Sequence, residues 1–145
     1  MPTNKIALAA DHGGAELKDI LKAYLIEKGY DVLDLGTHGS DPVDYPDMAD
    51  AMAAALGDGR ADRGLILCGT GIGISIAINR YRHVRAALCH NGLTARLARA
   101  HNDANVLALG GRILGVELAR DCLDEFLKTP FEGGRHARRV AKFSS

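Results

Sequence analysis

Four short stretches combine residue types that can move a proton or hold an anion. The first is Cys68-Gly69-Thr70-Gly71-Ile72-Gly73, a thiol followed by glycines at alternate positions. A thiolate can act as a base, thiolates form most readily near helix N-termini, and clustered glycine amides can hold a phosphate or a developing oxyanion. The plainer alternative is a small buried hydrophobe leading into an ordinary turn, since free cysteine is among the most buried residue types. The second stretch, Asp11-His12-Gly13-Gly14, sets a carboxylate and an imidazole beside a glycine pair, although Asp11 would serve equally as a helix N-cap and His12 as a loop residue. In the third, His101-Asn102-Asp103, the histidine either exchanges protons or complements the negative end of a helix. Arginines form the fourth group: Arg112 follows Gly110-Gly111, and Arg135 and Arg139 are four apart, sharing a face if the tail is helical. Guanidinium groups suit bidentate binding of phosphate, while a solvated basic helix accounts for the same spacing without a ligand.

A base, an oxyanion-binding loop, an acid/base imidazole and anchoring arginines together fit proton abstraction next to a carbonyl. Remote phosphate binding would then orient the reacting carbons. Competing motifs lack their parts. A dinucleotide fingerprint counted from Gly69 needs glycine where Ile74 stands, and neither a G-x-x-x-x-G-K-[ST] loop nor a G-x-S-x-G elbow occurs. No cysteine or histidine spacing points to a metal, and His38, Asp41, Asp44 and Asp47 read as solvated turn and cap groups. Tyr45, between two acids and before a proline, is open to either a pocket or a surface role.

The elements that must position these residues alternate. Apolar runs at Ile6–Ala10, Val32–Leu35, Leu65–Cys68, Val84–Cys89 and Val106–Leu109 read as strands. Between them, apolar residues at helical spacing predict helices: one from Leu17 to Leu25 ended by Gly29, one starting near Pro46, one over Ile74–Ile78, one through Leu93 and Leu97, and one through Leu118 and Phe126. Mostly apolar strands alternating with helices predict an α/β fold: three αβα layers, Rossmann-like, around a five-stranded parallel sheet. In such folds ligands bind outside the carboxyl ends of the strands, where Asp11, Cys68 and Arg112 all fall.

The 145 residues, 47% of them hydrophobic, suit one domain over residues 1–145. Equal numbers of basic and acidic residues, 18 each, give no general attraction to nucleic acid or to an anionic membrane. Three cysteines without a paired spacing, no leader-like start and no long apolar run lead us to expect a reducing, cytoplasmic setting.

Taken together, Asp11-His12-Gly13-Gly14, Asp44-Tyr45-Pro46, Cys68 to Gly73, His101-Asn102-Asp103 with Asn105, and Gly133-Gly134-Arg135-His136 with Arg139 resemble the type B ribose-5-phosphate isomerases along nearly the whole chain. That family also contains isomerases of galactose 6-phosphate, allose 6-phosphate and shorter sugar phosphates. The resemblance implies that Cys68 shuttles a proton between C1 and C2 through a cis-enediolate. Some members use a nearby glutamate instead, but here the neighbouring positions are Ile72, Gly73, Ile74 and Ser75. It further implies that the amides of Gly69, Thr70, Gly71, Ile72 and Gly73 hold the enediolate, with the Thr70 hydroxyl assisting, and that His101 opens the furanose ring with help from Asp11. Asn102 would contact a substrate hydroxyl, and His12, Arg112, Arg135 and Arg139 the substrate or its phosphate. No metal or organic cofactor is implied. The expected partner is a second copy, in a homodimer whose site lies at the two-fold interface, with further pairing into a tetramer left open. A different class of reading, a non-catalytic module that binds a phosphorylated metabolite, would use the glycines and arginines but require neither the thiol nor His101.

Overall fold

Residues 4–144 are described by a computed structural model. Five segments form strands: β1 (Lys5–Ala10), β2 (Asp31–Asp34), β3 (Arg63–Cys68), β4 (Ala86–Leu88) and β5 (Val106–Gly110). They are connected by α1 (Ala15–Glu27), α2 (Tyr45–Gly57), α3 (Ile72–Ile78) and α4 (Gly92–Asn102), and followed by α5 (Val116–Lys128) and α6 (Arg135–Phe143). All the strand pairings are parallel, in the order β2-β1-β3-β5-β4.

The continuous apolar character of the strands is explained by burial on both faces. On one face Ile6, Leu8, Leu65, Leu67, Leu107 and Leu109 pack with Leu17, Leu21 and Leu25 of α1, Ala95 and Ala98 of α4, and Leu123 and Phe126 of α5. On the other, Ala7, Ala9, Ile66, Cys68 and Ala108 meet Met52 and Ala53 of α2 and Ile74 and Ile78 of α3. Thus the three αβα layers follow from the two-residue alternation along each strand.

The order of the strands sets the ends of β1, β3 and β5 side by side. Ala10 lies level with Leu67, and Cys68 with Gly110. Each crossover helix must run back towards the start of the next strand. The C-terminus of α4 therefore lies at the opposite edge of the sheet, where β4 and β5 begin, and Asn105 N–H donates to the Arg85 carbonyl there.

Two boundaries differ from the sequence pattern. β4 spans only Ala86–Leu88, because it is an edge strand paired with β5 alone. α3 begins at Ile72, earlier than the apolar run suggested, because Gly71 makes the whole turn at φ +80°. That conformation needs glycine here, since a Cβ would also lie 2.6 Å from Leu88 Cδ1. The tail expected to be conditionally helical is indeed α6, which buries His136 and Val140 and leaves Arg135 and Arg139 exposed.

Candidate active site

The upper edge of the sheet, at the strand C-termini, is built mainly by backbone. Asp11 N–H donates to the Leu67 carbonyl at 3.1 Å, Gly111 N–H to Cys68 O at 2.9 Å, and Arg112 N–H to Gly69 O at 2.9 Å, so the three strand-end loops are tied to one another. Cys68 is buried, and Gly71 N–H points at its sulfur, 3.1 Å away. The loop's own geometry thus holds a donor on the sulfur. Thr70 Oγ1 accepts the Ile72 N–H at 3.2 Å, which steadies the first turn of α3 while the Thr70 side chain stays exposed.

Asp11 is buried at 7% exposure and accepts the Gly13 N–H at 2.8 Å. It is not the N-cap of α1, a position taken by Gly14 without any side-chain bond. His12 accepts the Val43 N–H at Nδ1, which leaves Nε2 as the ring nitrogen free to donate. His12 and Arg112 line one cleft together with Gly13, Glu16 and Gly111. The Arg112 guanidinium lies over Gly69, its Nη1 3.2 Å from where a Cβ on that glycine would stand. Tyr45 borders a hollow with Gly73, Ile76 and Tyr81, and its ring lies directly against Gly73.

The lower edge is built from side chains. His101 lies in the last turn of α4 and stacks on His136 of α6, with ring centroids 4.3 Å apart and planes at 11°. Glu132 Oε1 stands 3.6 Å from His136 Nε2 and 4.0 Å from His101 Nε2. Burial pushes the His136 imidazole below its ordinary value; His101, Arg135 and Arg139 push the same way, against Glu132. Asn102 is exposed and lines a depression with Arg85 and Phe143.

The expected residues thus fall into two groups. Asp11, His12, Cys68 to Gly73 and Arg112 converge, with Tyr45 at the margin. His101, Asn102, Arg135 and Arg139 gather elsewhere. The length of β5 separates them, about 13 Å for its four residue steps. A single copy of the chain does not bring Cys68 and His101 together. Sequence spacing also missed the grouping of His101, Glu132 and His136, which among the described residues is the one cluster with ligand-like geometry. Glu132 and His136 lie some thirty residues from His101 along the chain, and the packing of α6 on α4 together with the Glu132 N–H bond to the Ala100 carbonyl unites them. The signal that was available is the four-residue step from Glu132 to His136. His38, Asp41, Asp44 and Asp47 form no such cluster among the described residues.

A parallel sheet with a thiol and glycine loop at its central strand end, and arginines on a separate basic helix, defines a class of protein that comparison makes specific. The family model described as Ribose/Galactose Isomerase matches residues 6–143, and the chain belongs to that family. Among curated relatives, ribose-5-phosphate isomerase B of Escherichia coli is 47% identical over 94% of this chain and 91% of its own length. D-erythrulose-4-phosphate isomerase of Pectobacterium atrosepticum is 43% identical, again over 94% and 91%. Among solved structures, a ribose 5-phosphate isomerase of Thermotoga maritima superposes with a TM-score of 0.95 at 54% identity, covering 97% of each chain. None of the described helices is long and apolar enough to cross a membrane.

Proposed function

We propose that this chain is an aldose-ketose isomerase that interconverts D-ribose 5-phosphate and D-ribulose 5-phosphate at a site shared between two copies. Cys68 is the base: its thiolate takes the proton from C2 of the open-chain aldose, and the electron pair moves onto the carbonyl oxygen to give a cis-enediolate. The amides of Gly69 to Gly73 stabilise that oxyanion, the Thr70 hydroxyl assists proton exchange between the two oxygens, and return of the proton to C1 completes the ketose. His101, contributed by the second copy, opens the furanose ring with Asp11. Asn102 binds a substrate hydroxyl, and His12, Arg112, Arg135 and Arg139 hold the substrate and its phosphate.

The observation that carries this reading is the Gly71 N–H aimed at the Cys68 sulfur on a strand end whose neighbours bear Asp11 and Arg112. Homology to ribose-5-phosphate isomerase B supports the substrate. The two-copy site is supported by the separation of the two residue groups. It is further supported by the exposed apolar face of α3, where Ile72 and Ile76 are 51% and 65% exposed and need cover. A homodimer of this kind would bury that face against a second copy. Tyr45 is left at the pocket margin as a contact that depends on substrate length.

A second substrate reading, a tetrose phosphate, has its own support in the erythrulose-phosphate relative. Proton NMR in D₂O separates the readings. With ribose 5-phosphate, ribulose 5-phosphate should form with deuterium entering at carbon. Faster turnover of a tetrose or hexose phosphate would reassign the substrate, and binding without either product or exchange would leave only a phosphometabolite-binding module.

A further inference from the structure

His136 presents an unexplained atom. Its side chain is nine-tenths buried, yet Nε2 has no hydrogen-bond partner. Leaving a buried polar nitrogen unsatisfied costs about 1–3 kcal/mol, so some group is expected to complete it. The atoms nearest to it are themselves ligands: Glu132 Oε1 at 3.6 Å, and His101 Nε2, with all three within 4.8 Å of one another.

We propose that His101, His136 and Glu132 form a binding site for a divalent transition-metal ion of the zinc class, and that occupation of this site inhibits the enzyme by taking the His101 imidazole. Two imidazoles and one carboxylate are a donor set that zinc accepts readily, with the fourth position left to water. Ligand atoms bound at tetrahedral zinc stand about 3.3 Å apart, given bonds near 2.0–2.1 Å. The Glu132 contacts of 3.6 and 4.0 Å are close to that spacing already. The stacked rings lie 11° from parallel, so closure around an ion requires the ring of His101 to tilt. His101, 37% exposed, and Glu132, 56% exposed, have room to move, whereas His136 is fixed by packing and would act as the anchor.

The ion would be an inhibitor and not a participant in proton transfer. A metal-bound His101 nitrogen has no lone pair with which to accept a proton, so the aldose ring would stay closed while Cys68 itself remained intact. The inhibitory half of the proposal rests on the isomerase reading above; the binding half does not.

The test uses the intact wild-type protein, Glu132→Gln and His136→Gln, each titrated with cobalt(II) and followed by visible absorption, with thermal melts confirming that the variants fold. The wild type should develop the ligand-field bands of a low-coordinate nitrogen and oxygen site, and each variant should bind about tenfold more weakly or worse. Intense sulfur-to-cobalt charge transfer would place the metal on Cys68 and overturn the proposal, as would equal binding by all three proteins. Glu132→Gln, which removes no group of the proposed reaction, should keep its metal-free turnover of ribose 5-phosphate and lose zinc inhibition. Inhibition undiminished in that variant would refute the inhibitory role. If the metal-free wild type showed no turnover, the isomerase reading would fail while the cobalt titration still judged the site.

Discussion

The upper and lower edges of the sheet reach function by different physical routes. At the upper edge the geometry is a consequence of strand register: Cys68 lies level with Gly110, the three loops exchange backbone hydrogen bonds, and the thiol and Asp11 are buried. At the lower edge the stacking of His101 on His136 and a single backbone bond from the Glu132 N–H to the Ala100 carbonyl join α4 to the tail, and Arg135, Arg139 and Asn102 stand exposed. One edge is organised before substrate arrives. The other is a set of mostly exposed groups, the half that the proposed two-copy site would complete with a second chain.

The most severe way to break this comparison is to remove one key residue from each edge. Cys68→Ala should lower kcat for ribose 5-phosphate by about 10²–10⁴, the usual worth of a general base, with little change in KM or in melting temperature. His101→Asn should be similarly inactive when assayed from the closed-ring aldose. Mixing the two variants after reversible dissociation then provides the sharp result. If each site takes Cys68 from one copy and His101 from the other, every mixed dimer holds one intact site, and about a quarter of wild-type activity returns. If each site lies within one copy, none returns.

That division also explains what could be read in the sequence. Glycine spacing, apolar runs and the thiol at a strand end report local backbone geometry, so the upper edge was legible down to individual residues. Strand order was not, because pairing of Cys68 with Gly110 involves residues far apart in the chain. The start of α3 was misjudged because a glycine that closes a turn and a glycine inside a loop leave the same mark; only the φ of +80° at Gly71 separates them. At the lower edge, Arg135 and Arg139 were placed on one helix face by their four-residue spacing. The burial of His136 between them is not legible in the tail, since it depends on α4, which the tail sequence does not mention.

A smaller perturbation tests how far the order of the upper edge depends on its buried ion pair. Lys18, fully buried, donates to both oxygens of Asp34 at 2.9 Å, and Asp34 also accepts from Lys22 and from the Gly36 N–H. This network holds the start of the segment whose Val43 N–H reaches His12. Burial alone would raise the Asp34 carboxyl, but Lys18, Gly36 and Lys22 outweigh it and leave the group below its ordinary value. A carboxyl lowered by folding contributes stability above the ordinary carboxylate range, and that stability is lost as the pH falls through the native value. Asp34→Asn should therefore cost about 2–3 kcal/mol at neutral pH, less than a fully orphaned charge because Asp19 still holds Lys18. In melts taken towards acid, the variant should lose less stability than the wild type. A parallel pair of curves would remove Asp34 from the account of acid sensitivity.

The smallest effect should come from the exposed helix. Arg139 is charged and exposed on α6 and has no hydrogen bond or ion pair among those described in a single copy. Removing it should cost little stability, because surface substitutions away from packed features rarely do. If it grips the phosphate equally in the ground and transition states, Arg139→Ala should raise KM about tenfold and leave kcat unchanged. A fall in kcat at constant KM would instead mean that the contact tightens as the enediolate forms, so that the lower edge participates in the chemical step as well as in binding. No change in either constant would return α6 to a solvated basic helix. The upper edge would then have to bind the phosphate alone, through His12 and Arg112.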